Sequence, residues 1–225
     1  MEKEFCKITE KIKLNHNTYK IKVSLNKIIN PKISFFVKIH KEEASKPYSP
    51  IEYTPHSLTL IIKKYENGLV SKYVCEKEIG DSILVSFLYF KEELKAKKNV
   101  LMIAGGTGIA PMLQILIYAK QTNLPTNFTV MFFNQTDDDI FYKEELDSLA
   151  KTFYFVERGS HFLGIPSLDN IGNVVKNDKF DYVYVCGPPG MMECVSGKKN
   201  FDKTQGELKG ILKELGFTID KVYKF

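Results

Sequence analysis

Two patterns of apolar and polar residues divide this chain. Up to about residue 92, apolar side chains form short runs with the spacing of β-strands, several bounded by Pro, Asn or Gly, and no long helical period is present. The runs are Tyr19–Leu25, Ile33–Ile39, Ser57–Lys63 and Ser82–Phe87. Closely spaced short strands predict a small antiparallel β-barrel.

From about residue 99, apolar strands alternate with segments of helical periodicity. The predicted strands are Val100–Ala104, Phe128–Phe133, Phe153–Val156 and Asp181–Cys186. The predicted helices are Pro111–Ala119, Lys143–Ala150, Leu168–Val175 and Glu207–Leu215. Strands that alternate with helices predict an α/β doubly wound parallel sheet.

The two patterns together predict a two-domain protein. We expect an N-terminal β-barrel domain at residues 1–95 and a C-terminal α/β domain at residues 96–225, joined by the charged stretch Lys91–Asn99. In a doubly wound sheet, ligands bind beyond the carboxyl ends of the parallel strands. We therefore expect the ligand crevice where those strand ends face the barrel.

Composition and charge narrow the range of partners. The chain has 225 residues, enough for two small domains, and its net charge of +5 favours an anionic ligand or an acidic protein. The excess is too small and too scattered to indicate nucleic acid. Arg158 is the only arginine, so lysine must contact phosphate groups as a point charge.

Cysteine and hydropathy patterns exclude several further classes. The four cysteines show no metal-binding or disulfide spacing and indicate a reducing compartment, and no histidine cluster predicts a metal site. No apolar stretch approaches the roughly 20 residues that span a bilayer. The first residues resemble neither a signal peptide nor a transit sequence, so membrane attachment is not visible in this chain.

Two glycine-rich segments, each following an apolar strand, are the most informative motifs. The first reads Gly105-Gly106-Thr107-Gly108 and leads into a helical pattern with Pro111 in its first turn. The second reads Cys186-Gly187-Pro188-Pro189, followed by Met191. Strands that end in small residues form a floor where a flat ligand and its phosphates can approach the backbone. Neither segment has the spacing of an NTPase phosphate loop or of G-x-G-x-x-G.

The order of four motifs along the chain points to a family. Lys46-Pro47-Tyr48-Ser49 and Gly68-Leu69-Val70-Ser71 precede the two glycine-rich segments. In this order they resemble the ferredoxin–NADP reductase superfamily of flavoproteins, and within it the NADH–cytochrome b5 reductase branch. The tail 205–225 is most similar to the fungal mitochondrial form. The resemblance covers nearly the whole chain and implies bound FAD with NADH as the electron donor.

The resemblance assigns a flavin-binding role to residues 46–49. It implies that the Tyr48 ring packs on the isoalloxazine, that Ser49 bonds near it, and that Lys46, beside Pro47, meets a phosphate. Lys46 stands where the family has arginine, so the phosphate contact should be weaker. Without the resemblance, this segment reads as a proline-rich turn between strands.

The segment 68–71 is implied to cradle the FAD pyrophosphate. Backbone N–H groups of Gly68, Leu69 and Val70 and the Ser71 hydroxyl would serve, after a strand that contributes Ile61 and Lys63. The alternative is a loop and a short helix with Ser71 as its cap. The family's Gly-Pro-x-Gly is replaced by residues 87–90, Phe-Leu-Tyr-Phe.

The glycine-rich segments are implied to form the NADH site. The resemblance places Thr107 over the flavin and nicotinamide rings and Cys186 near the reacting atoms, so that Cys186, Thr107 and Tyr48 are the candidate catalytic residues. Gly105, Gly106, Gly108, Pro111, Gly187, Pro188, Pro189, Met191 and Phe225 complete the site. The alternative for Cys186 is a small buried residue that ends a strand. Hydride transfer needs no protein acid or base, since the cofactors carry the chemistry.

Selectivity for the donor is assigned to the acidic stretch 137–139. The resemblance places Asp139 against the adenosine ribose, where a carboxylate accepts from a 2′-hydroxyl and repels a 2′-phosphate. We interpret Asp137 and Asp138 as a solvated loop. No Ser-Arg pair is visible nearby to bind a 2′-phosphate, which favours NADH over NADPH.

The sequence therefore predicts an FAD-dependent oxidoreductase that passes electrons from NADH to cytochrome b5 or a similar acidic haem protein. Lys91, Lys95, Lys97 and Lys98 are the expected docking face. Alternatives are a reductase component of another electron-transfer chain, or a non-catalytic binding module that keeps the fold. We expect a monomer on the cytoplasmic side of a membrane, peripheral to the endoplasmic reticulum or the mitochondrial outer membrane.

Overall fold

The computed structural model describes residues 3–90 and 97–225 and divides the chain into two compact units. The first unit comprises Met1–Leu94 and Leu113–Tyr118, and the second comprises Lys95–Met112 and Ala119–Phe225. The first contains an antiparallel sheet and the second a parallel sheet with helices. The fold class expected from the sequence is confirmed.

The first unit is a barrel-like antiparallel sheet of seven strands in the order β4-β3-β7-β1-β2-β6-β5. Helix α1 packs against β3, β4 and β6, and Leu113–Tyr118 adds part of a second helix to this unit. The elements are β1 (Lys3–Lys13), β2 (Thr18–Ser24), β3 (Phe35–Lys41), β4 (Ala44–Tyr48), β5 (Glu52–Thr54), β6 (Ser57–Lys63), α1 (Leu69–Glu76) and β7 (Ser82–Phe90).

Alternation of side chains builds the interior of this sheet. Cys6 and Ile8 of β1 and Val37 and Ile39 of β3 point inward and are fully buried, because successive residues of a strand face opposite sides. Sequence analysis missed β1, β4 and β5. About half of β1 is lysine or glutamate that faces outward, and β4 and β5 are short. None of these three strands therefore gives a strong apolar signal in the sequence.

The second unit is a parallel sheet of six strands in the order β11-β10-β9-β8-β12-β13. Its strands are β8 (Asn99–Gly105), β9 (Asn127–Thr136), β10 (Lys151–Arg158), β11 (Phe162–Leu163), β12 (Tyr182–Cys186) and β13 (Val222–Lys224). Its helices are α2 (Ile109–Gln121), α3 (Lys143–Leu149), α4 (Leu168–Asn177), α5 (Pro189–Ser196) and α6 (Gly210–Glu214).

The strand order of this sheet reverses beside β8. The chain runs from β8 through β9 and β10 to one edge, and then returns to place β12 and β13 on the other side. Such a topological switch point leaves a crevice beyond the carboxyl ends of the two central strands, here β8 and β12. The fold of this unit therefore places a ligand site at the ends of these two strands.

Sequence analysis missed three elements of the second unit. The strands β11 and β13 have two and three residues, too few for a periodic signal. Helix α5 opens at Pro189, where a missing N–H is tolerated, and sequence analysis predicts no helix there. Helix α6 is shorter than expected because Gly210, at its start, has a φ of +66°.

Candidate functional site

The carboxyl ends of β8 and β12 lie side by side. Ala104 stands opposite Cys186 in the parallel ladder, so the two strands end almost level. A 3₁₀ turn, Gly106–Gly108, follows β8, and Gly187 follows β12. The two glycine-rich segments, eighty residues apart in sequence, are therefore neighbours at the switch point, as the sequence predicts.

The backbones of these two segments are in direct contact. A Cβ added to Gly108 would overlap the carbonyl oxygen of Cys186 and would lie 2.9 Å from the nitrogen of Gly187. A Cβ on Gly105 would overlap the Met191 sulfur, and one on Gly187 would lie 2.6 Å from that sulfur. The packing therefore requires glycine at position 108, where the clash would be with backbone, whereas a Cβ at Gly105 or Gly187 would displace the flexible Met191 side chain.

Helix α2 starts at the end of this turn. The N–H of Ile109, its first residue, donates to the carbonyls of Gly106 and Thr107, so the turn is the start of the helical run. The first N–H groups of such a run have no partner within it and attract phosphate, and here they belong to the turn. Pro111 is the third residue of α2 and is buried. Thr107 is partly exposed in the turn before the helix. Backbone donors beside a glycine floor can bind a flat ligand that carries phosphates.

Cys186 is partly buried beside a cluster of aromatic rings. The N–H of Phe225 donates to the carbonyl of Val185 at 2.9 Å, which places Phe225 next to Cys186. The centroid of the Phe225 ring lies 5.4 Å from that of Tyr184 and 5.0 Å from that of Tyr223. The structure thus brings the predicted residues Cys186 and Phe225 together.

Asp139 does not present its carboxylate to solvent. It is 4% exposed, and its Oδ2 accepts from the hydroxyl of Thr136 at 3.0 Å and from the N–H of Thr136 at 3.3 Å. This is a capping box around the turn that follows β9. The placement of Asp139 against a ribose stays a prediction, and one of its oxygens is already occupied by Thr136.

The interpretation of Asp137 as a solvated loop residue is wrong. Its carboxylate accepts from the Ser160 N–H at 2.6 Å, from the Ser160 hydroxyl at 2.9 Å, and bonds His161 Nδ1 at 2.6 Å. The His161 ring, followed by the Ser160 donors, holds the pKa of Asp137 far below its usual range. Asp137 therefore ties the end of β9 to the segment that follows β10.

This tie also corrects the statement that no Ser-Arg pair lies near residues 137–139. Arg158 stands opposite Thr136 in the parallel ladder and is exposed, and Ser160 bonds Asp137 directly. Sequence analysis missed the pair because it is about twenty residues away along the chain. The register of β9 and β10 brings it to the same strand end.

The first unit carries the Lys46–Ser49 motif on its edge strand β4. Tyr48 is partly buried opposite Val37, and burial raises the pKa of its hydroxyl. Ser49 is buried, whereas Lys46 and Pro47 are exposed. Proline is tolerated here because an edge strand has N–H groups without ladder partners. A neutral aromatic ring and an exposed ammonium are thus held on one short strand.

The Gly68–Ser71 motif forms the start of α1. Gly68 is the capping residue and Ser71 lies in the first turn, so Ser71 is not the cap that the alternative reading assigned to it. The Ser71 hydroxyl donates to the Gly68 carbonyl and accepts from the Tyr65 N–H, both at 3.4 Å. A Cβ on Gly68 would overlap that hydroxyl. Leu69 is exposed and Val70 is buried, so this turn offers backbone donors more than side chains.

Two other predicted flavin contacts lie on β6. Ile61 is 3% exposed, so its side chain belongs to the interior of the sheet and only its backbone is available for a ligand. Lys63 is partly exposed at the end of β6, opposite Thr18 of β2. Their roles in binding stay predictions.

The predicted docking lysines lie in two parts of the chain. Lys91 and Lys95 fall outside the described residues. Lys97 and Lys98 come directly before β8, and the Lys97 ammonium lies 5.9 Å from the centroid of the Tyr182 ring. They stand at the amino-terminal edge of the parallel sheet, about 20 Å along the strand from Gly105 at the opposite edge.

Two negative findings hold for residues 3–90 and 97–225. Within these ranges no three His, Cys, Asp or Glu side chains are grouped as metal ligands would be. No helix in the described part of the chain has the length and apolar character that a membrane span requires.

Comparison with known proteins matches each half of the chain to a family. Residues 5–86 match the oxidoreductase FAD-binding domain, and residues 102–155 match the oxidoreductase NAD-binding domain. The second match begins in β8 and includes Gly105–Gly108 and the turn that contains Asp139.

Curated relatives extend over most of the chain. NADH-cytochrome b5 reductase 2 of Pyricularia oryzae is 36% identical, across 94% of this chain and 72% of that protein. The enzyme of the same name from Coccidioides immitis is 38% identical across 80% of this chain, and the match spans 61% of its length. Among solved structures, the cytochrome b5 reductase domain of Ulva prolifera nitrate reductase has a TM-score of 0.80 at 22% identity, over all of this chain and 97% of that one.

Proposed function

We propose that this chain, which belongs to the NADH–cytochrome b5 reductase family, oxidises NADH with bound FAD and delivers the electrons singly to cytochrome b5. The observation that carries the proposal is the contact of Gly105–Gly108 with Cys186 and Gly187 at the switch point of the parallel sheet. The chain spans 61% of the Coccidioides immitis relative and 72% of the Pyricularia oryzae relative. Because the chain covers only part of these relatives, the NADH–cytochrome b5 reductase activity of the whole proteins is assigned to this chain as a proposal.

The residues present fit both dinucleotides. For NADH, Gly105, Gly108 and Gly187 form a floor without side chains, to which a phosphate can come close. For FAD, Gly68 and the start of α1 offer a second backbone cradle, and Tyr48 offers an aromatic face. Both cradles would bind phosphate through backbone N–H groups. This suits a chain that has a single arginine and therefore little capacity for bidentate guanidinium contacts.

FAD, when bound, accepts a hydride from NADH and releases its electrons one at a time. The protein residues position the reactants. Cys186 ends β12 with a small side chain that allows a ring to approach, and Thr107 lies in the turn beside it. Tyr48 offers a neutral aromatic ring, which suits stacking on another ring.

The acidic turn at residues 137–139 supports NADH as the donor. Its carboxylates would repel a 2′-phosphate at the end of β9. Arg158 and Ser160, at the end of the neighbouring strand, are the features that favour the alternative donor NADPH. The ratio of kcat/KM for the two donors distinguishes them, and a ratio near one contradicts the proposal.

The visible spectrum tests the flavin half of this function. The purified protein should be yellow, with absorption bands at roughly 380 and 450 nm, as any oxidised flavin has. Lys46→Ala should weaken FAD retention about tenfold because it removes the charge beside a phosphate, and Lys46→Arg should strengthen it by restoring a bidentate contact.

Lys41→Ala is the matched control for this test. Lys41 lies on the same hairpin as Lys46 but is paired with Glu42 at 3.0 Å, so its removal should leave FAD retention unchanged. A colourless protein that takes up no added FAD contradicts the enzyme and favours the alternative, a binding module with the same fold.

Charge reversal tests the docking of an acidic haem protein on Lys97 and Lys98. Complementary charge raises the association rate, and salt suppresses it. At low salt, Lys97→Glu with Lys98→Glu should slow cytochrome b5 reduction about tenfold. Reduction of ferricyanide should not change, because a small acceptor needs no docking face.

Lys198→Glu with Lys209→Glu is the control pair, since both lysines are exposed elsewhere on the same unit. If the control pair slows cytochrome b5 and the Lys97 and Lys98 pair does not, the docking face is misassigned. If another electron-transfer protein is reduced with a higher kcat/KM than cytochrome b5, the protein is a reductase of another electron-transfer chain. We further propose that the protein acts as a monomer on the cytoplasmic side of the endoplasmic reticulum or the mitochondrial outer membrane.

A further inference from the structure

Three lysines near the end of β12 differ in how their charges are satisfied. Lys224 is 0% exposed, and its ammonium donates to the carbonyls of Glu207 at 2.9 Å and Lys198 at 3.3 Å. Lys198 is exposed and pairs with Glu193 at 2.9 Å. Lys199 has neither kind of partner: within residues 3–90 and 97–225 it makes no ion pair and no side-chain hydrogen bond.

Lys199 is nevertheless partly buried. Its ammonium lies over the ring of Tyr223, 5.5 Å from the centroid. Burial lowers the pKa of Lys199; the Cys186 thiol opposes that effect when it is ionised, and the charge of Lys203 adds to it. No carboxylate among the described residues contributes to this shift in the pKa of Lys199. A partly buried cation without an anion is costly, and such residues occur where a ligand uses the charge.

The loop that carries Lys199 is held in place on both sides. Before it, the Lys198 carbonyl accepts from the buried Lys224 ammonium. After it, the Asn200 N–H donates to the Thr204 carbonyl at 3.1 Å. The Gln205 amide bonds both the N–H of Lys224, at 2.7 Å, and its carbonyl, at 3.1 Å. Lys199 is therefore anchored to β13, the strand next to Cys186.

The aromatic cluster connects Lys199 to the proposed nicotinamide site. Tyr223, under the ammonium, packs on Phe225, which lies next to Cys186 at the end of β12. In the sheet order, β9 and β13 lie on opposite sides of the β8–β12 switch point. A dinucleotide whose adenosine lies at β9 and whose nicotinamide lies at Cys186 would have its nicotinamide end nearest Lys199.

We propose that the Lys199 ammonium faces the nicotinamide end of the dinucleotide and favours the neutral, reduced ring over the cationic, oxidised ring. This inference rests on the proposed function, since it takes Cys186 as the place of the nicotinamide. Oxidation of the donor creates a positive charge on the ring, and a fixed ammonium beside Cys186 repels that charge. Lys199 thereby assists release of NAD⁺ and sets the preference of the site for NADH.

Binding measurements separate this role from ordinary phosphate binding. The holoprotein would be titrated by calorimetry with NAD⁺, with 1,4,5,6-tetrahydro-NAD, whose neutral ring donates no hydride, and with ADP-ribose, which has no ring. Lys199→Met keeps the stem that packs on Tyr223 and removes the charge. It should tighten NAD⁺ about fivefold, the size of one partly screened like-charge contact, and leave the other two affinities unchanged.

Two variants control the measurement. Lys199→Arg keeps the charge and should leave the affinity for NAD⁺ unchanged. Lys198→Met removes the neighbouring lysine, which is exposed and paired, and should also have no effect. A melting temperature for each variant shows that it is folded.

The outcomes are distinct. If Lys199→Met weakens all three ligands, Lys199 binds a phosphate and the inference is overturned. If it changes none of them while the protein stays folded, the charge faces something other than the nicotinamide and the inference is again overturned. If the unmutated holoprotein binds none of the three, including ADP-ribose, the proposed function itself fails and the inference fails with it.

Discussion

Gly108→Ala should nearly abolish binding of the dinucleotide and destabilise the second unit. The added methyl group would overlap the carbonyl oxygen of Cys186, which belongs to the backbone and cannot rotate away as a side chain could. Overpacking of this kind costs about 2 kcal/mol of unfolding free energy. Because the ends of β8 and β12 must separate, the affinity for NAD⁺ should fall by more than about tenfold. Calorimetry gives the affinity, and denaturant unfolding gives the stability.

Gly190→Ala is the matched glycine control for this prediction. Gly190 lies within α5 near the same strand end, and an added Cβ there meets nothing within 4 Å. Alanine also favours a helix over glycine, so stability should stay the same or increase. Equal NAD⁺ affinity in the Gly108→Ala and unmutated proteins would show that the contact between the two glycine-rich segments does not shape the site.

Cys186→Ala should slow the reduction of bound flavin by NADH while FAD content and stability remain nearly unchanged. The substitution keeps the Cβ and removes only a partly exposed sulfur at the end of β12, so little core packing is lost. The expected loss in rate comes from the position of the nicotinamide, since a displacement of about 1 Å can cost roughly a hundredfold. Stopped-flow absorbance at the flavin band measures the rate directly.

Cys194→Ala provides the cysteine control. Cys194 is exposed on α5, and its thiol donates to the Pro166 carbonyl at 3.7 Å, away from Cys186, so its removal should leave flavin reduction unaffected. If Cys186→Ala reduces flavin at the unmutated rate, the alternative from the sequence is correct and Cys186 is a small residue that ends a strand.

The sequence by itself determined the fold class and the pairing of the glycine-rich segments. Both follow from local rules. Alternation of period two builds the interior of the antiparallel sheet, as Val37 and Ile39 show, and apolar strands alternating with helices require a parallel sheet. Glycines directly after two such strands then predict their meeting, because the carboxyl ends of parallel strands share one edge. The contact of Gly108 with Cys186 agrees with that expectation.

The order of the motifs also carried information that no single motif held. Tyr48 and Gly68 would each pass as an ordinary turn residue, and only their position before the glycine-rich segments indicated a flavin protein. The match of residues 5–86 to an FAD-binding domain supports that interpretation. Which atoms meet the flavin stays a prediction.

Only the tertiary structure decided which charged side chains are available to a ligand. In the sequence, Asp137 and Asp139 look alike, but a local capping box holds Asp139 on Thr136, whereas strand register joins Asp137 to Ser160 and His161. Register likewise brings Arg158 beside Thr136. The contacts of Asp137 and the pairing of Arg158 join residues about twenty positions apart, and no periodic pattern encodes them.

The same limit applies to the lysines. Lys198 and Lys199 are adjacent and chemically identical in the sequence, yet one pairs with Glu193 in solvent and the other lies over Tyr223 without a carboxylate. Burial of a charge depends on which distant elements pack around it, here β13 and the buried Lys224. Local patterns therefore determined the architecture of this protein and the edge at which its site lies, whereas the long-range packing of strands decided the electrostatics of that site.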